Sequence, residues 1–273
     1  MDTKKKHRIH QSRLTYQNPY AHVAGDNGEL DAILPPLVSV QEVRGTASPK
    51  TTYSQVEIEK IAKCLRKTIW DRREKLGFQP NAAPISFTDP MLAFKAIGYH
   101  FDTVSSLGEK SAGNSEMAGF IDATNNEARV SARFPQRVQL FTAAHELGHA
   151  ILHDARGLGL HREVHNDGAI KASRPPIEKQ ADQFAAAFLM PEKLFRQQFE
   201  LRFHTNRFKL DTNNTHGLAN EGHKKLGRAR DLSRALATAV RFHSNSFPSL
   251  AEFFKLSTES VAIRIEYFEL IDF

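Results

Sequence analysis

This sequence has little cysteine and no long apolar run. Among its 273 residues there is one cysteine, Cys64, so no intrachain disulfide can form, as is typical of proteins in the reducing cytoplasm. No apolar run approaches the roughly 20 residues of a membrane-spanning helix. The start, MDTKKKHRIHQSR, is basic but no apolar region follows it, so it does not resemble a signal peptide. We therefore expect a cytoplasmic protein that does not associate with a membrane.

Composition indicates an ordinary soluble globular chain with a basic start. The sequence is 40% hydrophobic and 25% charged, and its length allows one large domain or two smaller ones. Its net charge is +6, to which a basic cluster within residues 4–13 contributes. Such a tail could contact nucleic acid or an acidic partner, but a solvated, disordered tail has the same composition. Residues 1–50, which are polar and interrupted by proline and glycine, are predicted to be irregular.

Hydrophobic periodicity and turn residues predict a mixed order of elements. The predicted helices cover residues 53–76, 90–97, 135–154, 177–190, 230–242 and 249–270, the last one interrupted. The predicted strands cover residues 99–104, 117–122 and 127–132, the last two joined as a hairpin. Loops are predicted over residues 155–176 and 209–228.

The most informative motif is the pentapeptide His145-Glu146-Leu147-Gly148-His149. On an α-helix, residues four apart lie one turn apart on the same face, so both histidines can offer a ring nitrogen to one metal ion. Glu146 lies beside them, where a carboxylate can take a proton from metal-bound water. This pattern is typical of zinc hydrolases that cleave peptide bonds.

The helix that carries this motif is predicted to be buried. Apolar residues lie on more than one of its faces: Val138, Leu140, Phe141, Ala144, Leu147, Ile151 and Leu152. Two histidines and a glutamate in a buried helix are costly unless a metal ion or hydrogen bonds satisfy them. The alternative to a metal site is therefore a group of core histidines satisfied by hydrogen bonds alone.

A catalytic zinc usually has three protein ligands, so a third ligand is expected outside the pentapeptide. His153 lies about 12 Å along the helix from His145, which is too far for both to bind one ion. Glu178 is the better candidate, because it opens an apolar helix on whose inward face an acid is unusual unless it meets a cation. Asp182, one turn later, could fix the tautomer of a ligand histidine. Two alternatives remain: Glu178 as a helix cap, and Asp182 as the metal carboxylate.

Two segments resemble one family. The segment HELGHAILH and the pattern E-x-x-A-D-x-F-A-x-x-F-L-M-P, which begins at Glu178, resemble the ImmA/IrrE metallo-endopeptidases in sequence and in separation. The hairpin before the first motif and the closing SLAEFFKLSTESVAIRI are also similar to that family. The resemblance covers roughly residues 85–200 well and 230–270 more loosely.

This resemblance implies an α+β, zincin-like fold, in which a small mixed or antiparallel sheet packs on the two metal-binding helices. It implies one Zn²⁺ bound by His145, His149 and Glu178, with Glu146 as the general base. Family members often cleave or inactivate a helix-turn-helix repressor, so the expected partner is a protein of that class. The expected organisation is an irregular tail (1–50), a metallopeptidase domain (51–200), an insert (201–229) and a C-terminal helical segment like a helix-turn-helix (230–273).

Two features of the expected mechanism stay open at the level of sequence. A donor besides zinc has to stabilise the oxyanion, and His161, His165 and Tyr99 are candidates without a decisive signal. A peptide substrate could pair with the edge of the 117–132 hairpin as an added strand.

The C-terminal helices raise a competing class of function. Their spacing resembles a DNA-binding helix-turn-helix, although Arg264 is the main group there that could bind a phosphate. A helical hairpin that supports the core or a partner interface has the same pattern. Three hypotheses follow: a zinc endopeptidase, a DNA-binding regulator, and an inactive metal-binding protein that acts by binding a repressor.

Overall fold

The computed structural model describes residues 36–108, 115–153, 160–165, 175–218 and 226–273. Its α-helices are α1 (Val40–Arg44), α2 (Gln55–Asp71), α3 (Pro90–Ala96), α4 (Gln136–Leu152), α5 (Pro176–Leu189), α6 (Glu192–Phe203), α7 (Thr212–Leu218), α8 (Ala229–Thr238), α9 (Leu250–Phe254) and α10 (Thr258–Tyr267). Its strands are β1 (His100–Val104), β2 (Ser115–Asp122), β3 (Glu127–Ser131), β4 (Leu160–His165), β5 (Phe208–Lys209), β6 (Arg241–Phe242), β7 (Asn245–Ser246) and β8 (Ile271–Asp272). A 3-10 helix spans Pro84–Thr88. The fold is therefore α+β, as predicted.

Helices α4 and α5 form the centre of the fold and share the most extensive contact between two described elements. Gly148 on α4 allows their close approach. A Cβ there would lie 3.1 Å from Ala181 Cα, 3.2 Å from the Ala181 carbonyl oxygen and 3.2 Å from Phe184 Cβ, tighter than ordinary van der Waals contact. A larger residue at 148 would push the two helices apart.

The main sheet has the strand order β1-β3-β2-β4 and packs on α4, chiefly through β2. β3 pairs with β1 in parallel and with β2 in antiparallel register, and β2 pairs with β4 antiparallel. The β2–β3 turn contains Asn126 at φ 53°, a left-handed conformation that asparagine tolerates better than most residues. The predicted hairpin is thus present, and the sheet is mixed.

The pairing corrects one expectation about the substrate. A peptide was expected to add to the edge of the 117–132 hairpin, but β1 pairs with β3 and β4 pairs with β2. Both sides of the hairpin therefore already have a partner strand, and its backbone donors and acceptors are used inside the sheet.

Arg264 on α10 ties the C-terminal helices to the core. This arginine is only 2% exposed, and its Nε and Nη2 donate to the Met190 carbonyl oxygen at 3.2 and 3.0 Å. Its Nη1 donates to the Glu59 carboxylate on α2. The guanidinium also lies over the Phe268 ring, 4.2 Å from its centroid. Arg264 is therefore buried among protein partners, although the sequence suggested it as the main phosphate-binding group of a DNA-binding helix.

Three segments differ from the sequence prediction. Residues 36–50, predicted to be irregular, contain α1, because Ser39 and Glu42 form a capping box and Val43 is buried. The predicted loop over residues 155–176 contains β4, which forms by pairing with β2. The predicted loop over 209–228 contains α7. The predicted tail over residues 1–35 lies outside the described residues.

The described residues all belong to one compact unit. Within the described ranges, no helix has both the length and the apolar character needed to cross a bilayer.

Candidate metal centre

Helix α4 places His145 and His149 one turn apart inside the protein. The helix begins after Pro135, and every residue from Thr142 to Leu152 is buried. The two histidine side chains are 0% and 1% exposed. Their Nε2 atoms lie 3.1 Å apart, so both rings present the same nitrogen to one point.

Helix α5 brings Glu178 to that point. Pro175 and Pro176 set the start of this helix, where a proline costs no hydrogen bond, and Glu178 follows in its first turn. One carboxylate oxygen lies 3.2 Å from His145 Nε2 and the other lies 3.3 Å from His149 Nε2. The carboxylate bridges the two rings, so the helix-cap alternative does not describe its contacts.

The positions of these three side chains suit a metal ion. His145, His149 and Glu178 are the metal-ligand group found among the described residues. The two Nε2 atoms lie 3.1 Å apart, and each of them lies 3.2–3.3 Å from a different oxygen of the Glu178 carboxylate. Ligands at about 2.0–2.1 Å from a tetrahedral ion lie about 3.3–3.4 Å apart, close to these separations. The donor set of two imidazoles and one carboxylate is one that zinc accepts in hydrolases.

Hydrogen bonds at Nδ1, the ring nitrogen that faces away from the candidate metal position, orient both histidines. His145 Nδ1 lies 2.9 Å from Asp182 Oδ1, the contact expected for Asp182 from the sequence. A carboxylate there accepts the Nδ1 hydrogen and leaves Nε2 free to bind a cation. His149 Nδ1 lies 3.0 Å from Nδ1 of His153, which therefore stands behind a candidate ligand and outside the ligand group.

The electrostatics favour a bound cation. Burial raises the pKa of Glu178, but the hydrogen bonds from His145 and His149 outweigh it, so the pKa lies below its ordinary value. Burial lowers the pKa of His149, against the opposing effect of Glu178. Burial, followed by the charge of His149, lowers the pKa of His153 to about 3. Neutral imidazoles and an ionised carboxylate are the forms that bind a metal ion.

Glu146 is fully buried beside the histidines and touches β2 where the sheet has a glycine. A Cβ at Gly119 would overlap Thr142 Cγ2 and would lie 2.5 Å from Glu146 Oε1. The register of β2 against β4 also shifts between Met117 and Gly119. The strand backbone therefore approaches the Glu146 carboxyl group as closely as a glycine allows.

Sequence reasoning singled out the helical residues of this centre but missed Gly119. The available signal was a glycine inside the apolar segment MAGFID, because glycine within a strand marks a bulge or a close backbone approach. Among the oxyanion candidates, Tyr99 lines a pocket together with His153. His161 and His165 lie on β4, opposite Phe120 and Ser115 of β2.

Comparison with known proteins agrees with this geometry. Residues 109–213 match the model of an M78 peptidase family, described as the IrrE N-terminal-like domain. The match contains α4, α5 and the sheet strands β2, β3 and β4. It confirms the resemblance to the ImmA/IrrE metallopeptidases. Neither the curated proteins nor the solved structures include one that is similar enough to this chain to count as a match.

Proposed function

We propose that this chain, which contains a peptidase domain of the IrrE N-terminal-like family at residues 109–213, is a zinc-dependent endopeptidase. We propose further that its substrate is a regulatory protein, a helix-turn-helix repressor. The observation that carries the proposal is the convergence of His145, His149 and Glu178, whose Nε2 atoms lie 3.1 Å apart and each 3.2–3.3 Å from one carboxylate oxygen, with Glu146 buried on the helix of the two histidines.

In this proposal His145, His149 and Glu178 hold the zinc ion. Two imidazoles and one carboxylate leave a fourth position for water, as in catalytic zinc sites, whereas structural sites are usually closed by four protein ligands. Asp182 and His153 keep the two imidazole rings in place through Nδ1. Both rings thus stay oriented before the ion binds.

Glu146 is the proposed general base. Zinc held by His145, His149 and Glu178 would supply a water of lowered pKa and a positive charge for the substrate carbonyl. Glu146 follows His145 directly on α4 and is fully buried, and its proposed role is to take the proton of that water. The same carboxyl group then returns the proton to the amine of the departing peptide.

The substrate class rests on the family resemblance. The IrrE-like match covers α4, α5 and most of the sheet. Members of the ImmA/IrrE family, which this chain resembles, often act on helix-turn-helix repressors. A repressor is a folded protein, so cleavage requires an exposed, extended segment of it to reach the metal centre.

Two other functions make different predictions. A DNA-binding regulator would bind duplex DNA with a strong dependence on salt. The burial of Arg264 removes the main phosphate-binding group that the sequence offered for that function. An inactive metal-binding protein would inhibit its repressor without cutting it, and replacement of Glu146 would leave that effect unchanged.

The test compares wild type with Glu146→Gln, using Glu192→Gln as the matched control on the exposed first turn of α6. Each protein is co-expressed with helix-turn-helix repressors encoded near its gene, and cleavage is followed by mass spectrometry. We expect Glu146→Gln to keep stoichiometric zinc and to lose cleavage by at least about 10²-fold, while Glu192→Gln cleaves as wild type.

Measured zinc content distinguishes the proposed metal ligands from the proposed general base. His145→Ala and Glu178→Ala should each lose zinc by atomic emission after dialysis, because two remaining ligands hold the ion weakly. Identical repressor fragments from wild type and Glu146→Gln would overturn the proteolytic function. Full zinc content in both ligand variants would overturn the assigned metal site.

A further inference from the structure

The pocket that Tyr99 and His153 line lies behind the metal centre, where the C-terminal end of α4 meets α1 and the β2–β3 turn. It has a volume of about 460 Å³, within the range of small-molecule sites. His153 and Arg44 line it, together with apolar side chains such as Val40, Ile97 and Ala150. The pocket is thus apolar over part of its wall and carries two polar side chains that are about nine-tenths buried.

Arg44 brings a positive charge to the wall of this pocket. Its Nη1, Nε and Nη2 donate to the carbonyl oxygens of Ile151, Thr46 and Ala47 at 3.0, 3.2 and 3.0 Å. A guanidinium has five N–H donors, so two remain after these bonds. The described residues that line the pocket include no aspartate or glutamate. A buried cation that is bonded only to neutral carbonyls favours an anion nearby.

His153 adds a hydrogen-bond donor. Its Nδ1 faces His149 Nδ1 at 3.0 Å, and within the described part of the chain its buried Nε2 has no hydrogen-bond partner. If His149 uses Nε2 for the metal ion, its Nδ1 carries the hydrogen and donates it to His153 Nδ1. Neutral His153 then carries its own hydrogen on Nε2, as a donor without an acceptor. Such a buried, unsatisfied group is unusual in a folded protein.

We propose that this pocket binds a small organic anion with an apolar body, and that His153 links its occupancy to His149. The carboxylate of the ligand accepts from His153 Nε2 and from the remaining N–H groups of Arg44, while the apolar body covers Val40 and Ala150. An anion on Nε2 makes the other nitrogen of His153 a stronger acceptor. His149 then becomes a stronger donor through Nδ1 and a better metal ligand through Nε2.

Binding is tested on the full chain with 2-naphthoate as the probe and uncharged 2-naphthamide as its isostere, by titration calorimetry. We expect naphthoate to bind with a Kd of about 1 mM and the amide at least about tenfold more weakly. Ala123→Phe places a ring in the pocket and should abolish binding. Thr124→Phe adds the same ring at the next, exposed position of the turn and should leave binding unchanged.

The His153 contact has its own readout. Histidine-selective ¹⁵N NMR should show a shift of His153 Nε2 on addition of naphthoate, and His153→Phe should weaken binding at least about tenfold. No binding of naphthoate by wild type up to about 10 mM, or equal binding by wild type and Ala123→Phe, would overturn the site.

The link to His149 and the donor role of His153 Nε2 rest on the proposed metal site, whereas the pocket and its Arg44 contact do not. Zinc affinity is measured by competition with a fluorescent chelator, with and without saturating naphthoate. We expect naphthoate to tighten zinc binding about fivefold in wild type and to have no effect in His153→Phe. An unchanged zinc affinity in wild type would overturn the link and leave the pocket standing. Failure of the cleavage test would affect neither result.

Discussion

At the scale of single residues, Glu178 shows how this centre is assembled. Its carboxylate is the only contribution of α5 to the ligand group, and it faces both histidines of α4 at 3.2 and 3.3 Å. Burial opposes its charge and the histidines support it, so its ionised form depends on their presence. A bound cation would satisfy all three groups together, which hydrogen bonds among them cannot do for two neutral rings and one carboxylate.

The contact between Gly119 and Glu146 leads to a prediction about catalysis. In Gly119→Ala the new Cβ would lie 2.5 Å from Glu146 Oε1 and overlap Thr142, so the carboxyl group has to move. We expect kcat to fall at least about tenfold with unchanged zinc content, because the atoms nearest to the new Cβ belong to Thr142 and Glu146 and not to a proposed metal ligand. Activity and atomic emission measured together check this.

Ala118→Gly is the matched control for this substitution, because it removes a methyl group at the neighbouring buried residue of β2 instead of adding one. It should lower stability without a specific loss of kcat. Full activity of Gly119→Ala would show that the close approach at 119 does not position the base.

His153 leads to a prediction about pH for the metal-free protein. Its pKa is lowered to about 3, chiefly by burial, whereas an unfolded histidine titrates near 6.5. Between these values the unfolded chain binds a proton that the folded chain does not. The free energy of unfolding should therefore be constant with respect to this group above about pH 6.5, and should fall by about 1.4 kcal/mol per pH unit below it.

Urea unfolding in EDTA at several pH values between 7 and 5 measures this slope. Burial lowers the pKa of His149 as well, so its contribution has the same sign. His153→Phe should reduce the slope, and the exposed His216→Phe serves as the control. An equal slope in wild type and His153→Phe would contradict the assignment to His153.

At the scale of elements, the α4–α5 contact sets the geometry of the centre. Gly148 lies between the two ligand histidines in sequence and on the face of α4 that meets Ala181. Because Glu178 is one turn from Ala181 on α5, any separation of the helices at Gly148 also withdraws the proposed third ligand. The same glycine thus affects both the packing and the proposed metal site.

Gly148→Val should therefore lower both stability and zinc affinity. Overpacking of this contact is expected to cost about 1–3 kcal/mol in the free energy of unfolding. Zinc affinity should fall at least about tenfold as Glu178 moves away. Chemical denaturation and chelator competition check the two effects. Arg137→Val, on the exposed first turn of α4, controls for a β-branched residue in the helix and should leave zinc affinity unchanged.

At the scale of the whole molecule, Arg264 connects distant parts of the chain. It joins α10 to the Met190 carbonyl at the end of α5 and to Glu59 on α2, across 74 and 205 residues of sequence. Arg66 of α2 also donates to the end of α5, to the Ala187 carbonyl at 2.6 Å. Two arginines thus meet the negative end of the helix whose first turn carries Glu178.

Replacement of Arg264 should destabilise the entire fold. Arg264→Met leaves the Met190 carbonyl and the Glu59 carboxylate without their buried partner, at an expected cost of about 3 kcal/mol. Arg234→Met removes a more exposed ion pair, to Glu259 at 2.7 Å, and should cost less than about 1 kcal/mol. Urea unfolding compares them. An equal, small loss in both variants would show that Arg264 does not hold the C-terminal helices to the core.

The sequence predicted the parts of this protein that depend on the helical repeat of residues close together in the chain. The spacing of His145 and His149 and the apolar faces around them predict a buried helix with two histidines on one side. The acid at 178 was found because charge is unusual on an apolar stripe. Strand β4 was not predicted, because its residues form a strand by pairing with β2, across an intervening helix.

The sequence by itself thus determined the two central helices, the residues on them that suit a metal ion, and the resemblance to the ImmA/IrrE metallopeptidases that the family match at residues 109–213 supports. Only the tertiary structure decided that Glu178 meets both histidines, that Gly119 faces Glu146, and that Arg264 is buried. Each of these depends on groups that are distant in the chain and come together only when the core packs. The physical reason is that helical period is encoded in neighbouring residues, whereas burial of a charge depends on partners that sequence spacing does not reveal.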